Sequence, residues 1–159
     1  MDMRTANTLR WAWLLALPFL FGGNAYGQAG SAASIPEAQR MQPEELVKSL
    51  QSTGADKPLV FQVGPHVMFA EAHPPGAEYI GAGALPSGIQ ALQDRVKSVP
   101  HDQFIVLYCG CCPWTKCPNV APAYQKLASL GFTHVKVLYI ATNFGADWVN
   151  KGYPVEKGR

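Results

Sequence analysis

"QFIVLYCGCCPWTKCPNVAPAYQKL", residues 103–127, holds three patterns in a row. Phe104 to Tyr108 is an unbroken apolar run, the pattern of a strand buried on both faces of a parallel sheet. Cys109, Cys111, Cys112 and Cys117 follow within nine positions and are the only four cysteines of the chain. Then Val120, Tyr124 and Leu127 recur at helical spacing, with Asn119 as N-cap candidate and Gly131 as the stop. Strand, cysteine loop and helix therefore succeed one another directly. In open α/β sheets ligands bind beyond the carboxyl ends of the strands, which is where such a loop sits.

The flanking sequence repeats the alternation. "PLVFQVG" (58–64) and "HVKVLYI" (134–140) read as further buried strands, and "PPGAEYIGAGALP" as a turn followed by a short strand and a loop. "QPEELVKSLQS" has Pro43 at a first helical position, Glu44 and Glu45 in the first turn, and Leu46, Val47 and Leu50 on one face. "SGIQALQDRVKSV" carries Ile89, Leu92 and Val96 at helical spacing, "HVMFAEA" reads as a helix and "NFGADWVNKGY" as a last helix or turn. The expected fold is α/β, a mainly parallel central sheet flanked by helices on both faces.

With 159 residues, 48% of them hydrophobic, one domain can bury a core without disulfide staples. At the start, Arg4 and Arg10 precede an apolar run from Trp11 to Phe21, and Ala25 and Gly27 stand at the minus-three and minus-one positions of a signal-peptidase site. The run is short against the ~20 residues of a spanning helix, and Pro18 interrupts it. Residues 1–27 are therefore expected to be a cleaved export signal, residues 28–42 a small, polar linker, and residues 43–159 the domain. Export puts the thiols in a periplasmic or secreted, oxidising setting with no stable membrane insertion after cleavage. Cleavage would leave a net charge of +1, and no stripe of Lys or Arg suggests a nucleic-acid partner.

A strand running into a loop and a helix start aims main-chain N–H groups at the loop, where a thiolate is stabilised. Cys109 directly follows the strand, so the lowered pKa and the nucleophile are expected there, with Lys116 as the positive charge inside the loop. Cys117, just before the helix, is the candidate resolving partner or second nucleophile, and Cys111 or Cys112 is also near enough to attack a persulfide or sulfenate. Gly110 and its following amides, Trp114, Thr115 and Lys116 are the substrate-binding candidates, Trp114 as a lid at the loop tip or a packing anchor. One or two static disulfides stapling the loop are the plainer alternative. Zinc or copper(I) is a third, but C-x-C-C-x4-C lacks the paired C-x2-C knuckles of zinc modules, so neither a metal nor another cofactor is expected.

"AHPPGAEYIGAG" (72–83), "VLYCGCCP" (106–113) and "LASLGFTHVKVL" with "WVNKGYPVE" (127–138 and 148–156) resemble rhodanese-like domains. The first is similar to their Gly-His-Ile-Pro-Gly-Ala motif, the second to their strand entering the active-site cysteine, and the match spans most of residues 43–157. The resemblance implies sulfur transfer: Cys109 takes a sulfane sulfur from a small sulfur-containing anion and passes it to a thiol acceptor, a protein thiol included. The loop is about five residues longer than the family's, and offers Thr115 and Lys116 where the family has an Arg before a Ser or Thr. Gln62, Val63 and Gly64 stand where the family often has Asp-Val-Arg, and His73 reads as a structural hydrogen-bonder. A thiol–disulfide oxidoreductase and a non-catalytic module with a disulfide-locked loop are the competing functions.

Overall fold

A computed structural model describes residues 31–54 and 57–158. The expected export signal and its cleavage site after Gly27 lie outside them. Among the described residues no helix is long and apolar enough to cross a membrane.

Five parallel strands form one sheet in the order β1-β5-β4-β2-β3. They are β1 (Arg40–Met41), β2 (Leu59–Gln62), β3 (Glu78–Tyr79), β4 (Ile105–Tyr108) and β5 (Val135–Leu138). Between and after them run α1 (Pro43–Leu50), α2 (His66–Glu71), α3 (Pro86–Val96), α4 (Val120–Ser129) and α5 (Phe144–Asp147). The expected architecture is the one observed.

β4 is the central strand, and all four of its residues are buried. Successive side chains of a strand point to opposite faces, so its run divides between two cores. Ile105, Leu107 and Cys109 meet Leu92 and Val96 of α3 and Val120, Ala123 and Leu127 of α4. Val106 and Tyr108 meet Leu46 of α1 and Phe144 and Trp148 at α5 on the other face. The apolar stripes read along these helices are the faces they bury.

Two local devices fix the surroundings of the β4 end. Glu45 accepts the Gln42 N–H at 2.7 Å and so closes the start of α1 beside β1. The turn after β3 runs back over the sheet, where Gly83 donates its N–H to the Val63 carbonyl at 3.0 Å. It is squeezed there: a Cβ on Gly83 would stand 2.2 Å from the carbonyl oxygen of Asn119.

The segment read as a linker departs from expectation. From Ser31 onward it is part of the fold: Ala32 and Ile35 are buried in the α3/α4 core and Arg40–Met41 is the edge strand β1. Its small, polar composition conceals this, since only two of its first apolar side chains reach the core.

Replacing Gly83 by Ala forces main chain apart at the start of α4, and is expected to cost about 1–3 kcal/mol in chemical denaturation. A change within about 0.5 kcal/mol, the level of a neutral surface substitution, would contradict the packing described.

Candidate functional site: a four-thiol loop at the end of the central strand

β4 delivers Cys109 into the α4-side core, where it is 3% exposed. Three neighbours hold its sulfur. The Asn119 side-chain amide donates to Cys109 Sγ at 3.3 Å, Cys111 Sγ lies 3.1 Å away, and Gly64 leaves the space, since a Cβ there would come within 2.8 Å of the sulfur. Gln62 braces the same corner from the adjacent strand: its amide donates to the Cys109 carbonyl at 3.2 Å and accepts the Gly64 N–H at 3.2 Å. This buried amide also donates to the Pro65 carbonyl at 3.4 Å and so satisfies three main-chain groups.

Asn119 was expected as an N-cap and stands at that position, but its side chain does not cap α4. It accepts the Ala84 N–H at 3.0 Å through Oδ1 and donates to Cys109 through Nδ2. It therefore ties the turn after β3 to the first cysteine.

Beyond Cys109 the chain turns at Gly110 (φ 78°), whose carbonyl accepts the Phe144 N–H at 2.9 Å. The positive φ suits glycine, and Phe144 closes the space a side chain would need: its Cβ would stand 2.8 Å from one on Gly110. Gly110 is thus a turn residue packed under α5. Trp114 does not stand at an exposed tip. It is 6% exposed, packs against Tyr139 at 5.1 Å between ring centroids and lies under the Arg40 guanidinium, so of its two expected readings the packing anchor is observed. Thr115 and Lys116 are exposed on the outer side of the loop. The N-terminal segment straps that side: Ser31 Oγ donates to the Thr115 carbonyl at 3.0 Å, and the Ala32 N–H to the Cys117 carbonyl at 3.3 Å. Sequence reading missed the strap, because its contacts are main-chain groups and small side chains without a pattern.

The loop folds all four sulfurs together as free thiols. The sulfurs of Cys109, Cys112 and Cys117 lie within 4.8 Å of one another, and Cys111 Sγ is 3.2 Å from Cys112 Sγ. A cavity of about 10 Å³ opens among them, lined by Cys109, Cys112, Cys117, Trp114, Val120 and Ile140, among others. That is room for about one atom.

The negative charge falls on a different sulfur from the one expected. Cys117 is drawn down to about 6 by the Cys109 thiol that donates to it, then by the main-chain N–H groups of Asn119 and Val120, with burial opposing. Cys109 is pushed upward: its thiol gives its proton to the bond with Cys117, burial disfavours its anion, and the Cys117 charge repels a second one. The pair holds one proton and one charge. Cys109 at the strand end has the Cys111 N–H, whereas Cys117 stands three residues before the first residue of α4 and has the Asn119 and Val120 N–H groups. Lys116 is not among the groups that lower Cys117. Cys112 is pushed up to about 12, first by burial and then by its bond to Cys111.

His73 is a structural residue as read: its ring stacks on Phe69 at 3.9 Å and Nδ1 meets the Phe69 carbonyl at 2.8 Å, away from the sulfurs.

No protein-family model and no curated protein matches the sequence. Solved structures do. The crystal structure of the Alr3790 protein from Anabaena sp. is similar at 22% identity and a TM-score of 0.56, over 74% of this chain and 92% of that one. The solution structure of the rhodanese-like domain of the same protein gives 21% and 0.53, over 75% and 79%. The BH2092 protein from Bacillus halodurans gives 24% and 0.55, over 74% and 76%. The chain has the rhodanese-like fold. In this example of it, the strand that enters the cysteine loop is β4 and the helix that leaves it is α4.

Substituting Asn119 by Ala leaves the Ala84 N–H without a partner and removes the amide donor from Cys109, and is expected to lower stability by about 1–3 kcal/mol. Asn119→Asp keeps the acceptor for Ala84 but sets a negative charge beside Cys109, so the first thiolate should form at higher pH than in the wild type. An unchanged thiolate titration in Asn119→Asp would contradict the contact.

Proposed function

We propose that this domain moves sulfane sulfur, taking it from a small anionic donor onto the Cys109–Cys117 pair and delivering it to a thiol acceptor. The observation that carries the reading is the sulfur-lined, one-atom cavity at the carboxyl ends of β4 and β5 in a rhodanese-like fold. A sulfane sulfur fits it and a whole thiosulfate does not, so the rest of the donor stays at the mouth, beside the half-buried Cys111 and Cys112.

The steps balance without a cofactor. The thiolate of the pair attacks the outer sulfur of the donor; the new bond is cysteine sulfur to sulfane sulfur, and the bond broken is the donor's own, with sulfite leaving if the donor is thiosulfate. The persulfide keeps one negative charge, opposite the Asn119 and Val120 N–H groups. An acceptor thiolate then attacks the outer sulfur and restores the cysteine thiolate. Without an acceptor, the partner thiol attacks the inner sulfur, giving a Cys109–Cys117 disulfide and hydrosulfide. The resting charge favours Cys117 as the attacking atom, whereas the family position favours Cys109. A protein thiol is a suitable acceptor, because a surface loop can meet the mouth where a buried sulfur cannot come out. The signal-like pattern of residues 1–27 supports an exported setting, periplasmic or secreted.

The reduced protein, given one equivalent of polysulfide or thiosulfate without oxygen, is expected to gain the mass of one sulfur atom. Cyanide should remove it, and fragmentation should map it to the pair, on Cys117 by the charge distribution. Cys117→Ser and Cys109→Ser should each lose most of the turnover. Failure to take up sulfur, or uptake on Cys111 or Cys112 alone, would contradict the reading.

A further inference from the structure

We propose that the reduced loop is also a site for a single copper(I) ion, held between the sulfurs of Cys109, Cys112 and Cys117. This inference rests on the sulfur triangle and not on the sulfur-transfer reading.

The three sulfurs already lie within 4.8 Å of one another around the one-atom cavity. A metal–thiolate bond of about 2.3 Å puts three sulfurs about 4 Å apart around a trigonal ion, so only a small contraction is needed. The donor set is entirely soft. None of the four histidines and no carboxylate lines the cavity, whose remaining walls include Trp114, Val120, Leu138 and Ile140. Thiolates without nitrogen or oxygen donors suit copper(I), zinc and iron–sulfur clusters, and the number of donors separates these. Structural zinc almost always takes four ligands where this triangle offers three, and a cluster has no room in a cavity of about 10 Å³. Cys111 contacts Cys109 and Cys112 but stands outside the triangle.

The surroundings also supply what a copper thiolate site needs beyond its ligands. The Asn119 amide donates to Cys109 Sγ at 3.3 Å, and Cys117 stands just before the first turn of α4, so part of the excess negative charge of three thiolates faces hydrogen-bond donors. On binding, three copper–sulfur bonds form and any protons on the three thiols are released. Neither copper nor sulfur changes oxidation state.

The test is an anaerobic titration of the reduced full chain with copper(I) against a competing chelator, with X-ray absorption on the loaded protein. The expected result is one copper per chain with three sulfur neighbours and no nitrogen or oxygen. Cys109→Ser, Cys112→Ser and Cys117→Ser should each weaken binding by more than the about 10–100-fold that losing an outer hydrogen-bond partner costs a metal site, and Cys111→Ser by less than about tenfold. A measurement on the wild type alone guards against variants that fail to fold: copper(I) should protect the three triangle cysteines from alkylation and leave Cys111 open. No copper binding, several coppers per chain, oxygen or nitrogen ligation, or equal dependence on Cys111 would each overturn the site. Wild-type protein that takes up sulfur but no copper refutes this proposal alone. The reverse result refutes sulfur transfer alone.

Discussion

The site depends on how a buried thiolate is held where the central strand meets the start of α4. A charge taken out of water costs several kcal/mol unless hydrogen bonds replace its hydration. Cys117 is 4% exposed, its sulfur lies within 4.8 Å of Cys109 Sγ, and Cys109 with the Asn119 and Val120 N–H groups draws its pKa down. Hydrogen bonds to a charged group contribute about 1.5–3 kcal/mol each, so a few donors around the sulfur are of the size needed. Without Cys109 as donor, or with the loop displaced from α4, the balance would turn against the anion.

The rest of the molecule bears on that junction. β4 fixes Cys109 because its alternation assigns residue 109 to the α4 face; Gln62 and Gly64 of the neighbouring strand close the corner behind it. Asn119 joins the sulfur to the turn that Gly83 makes possible, and Ser31 and Ala32 tie down the far side of the loop. The outcome is a set of clustered sulfurs around a pocket with room for one atom. That combination suits a soft, monatomic cargo, such as a sulfane sulfur or a copper(I) ion.

The sheet and its helices were legible in the sequence because burial on both faces leaves continuous apolar runs, and burial on one face of a helix leaves a stripe. Phe104–Tyr108 and Val120–Leu127 are of this kind, and together they located the loop. The assignment of charge within the loop was not legible. Cys109 ends the strand and Cys117 precedes the helix, and spacing alone does not say which sulfur ends up facing the amides. Trp114 illustrates the same gap, since a lid at the loop tip and a packing anchor both fit the sequence until Arg40 and Tyr139 are seen to enclose it. The strap at Ser31 acts through main-chain groups that every residue carries, so no residue type announces it.

The most direct test is the ultraviolet absorbance of thiolate followed against pH in the fully reduced chain, wild type and Cys117→Ser. A single thiolate should appear with a midpoint near 6 in the wild type and vanish in the variant. A first thiolate that forms only near the ~8.5 of a free cysteine, or one near 6 that survives the loss of Cys117, would contradict the account.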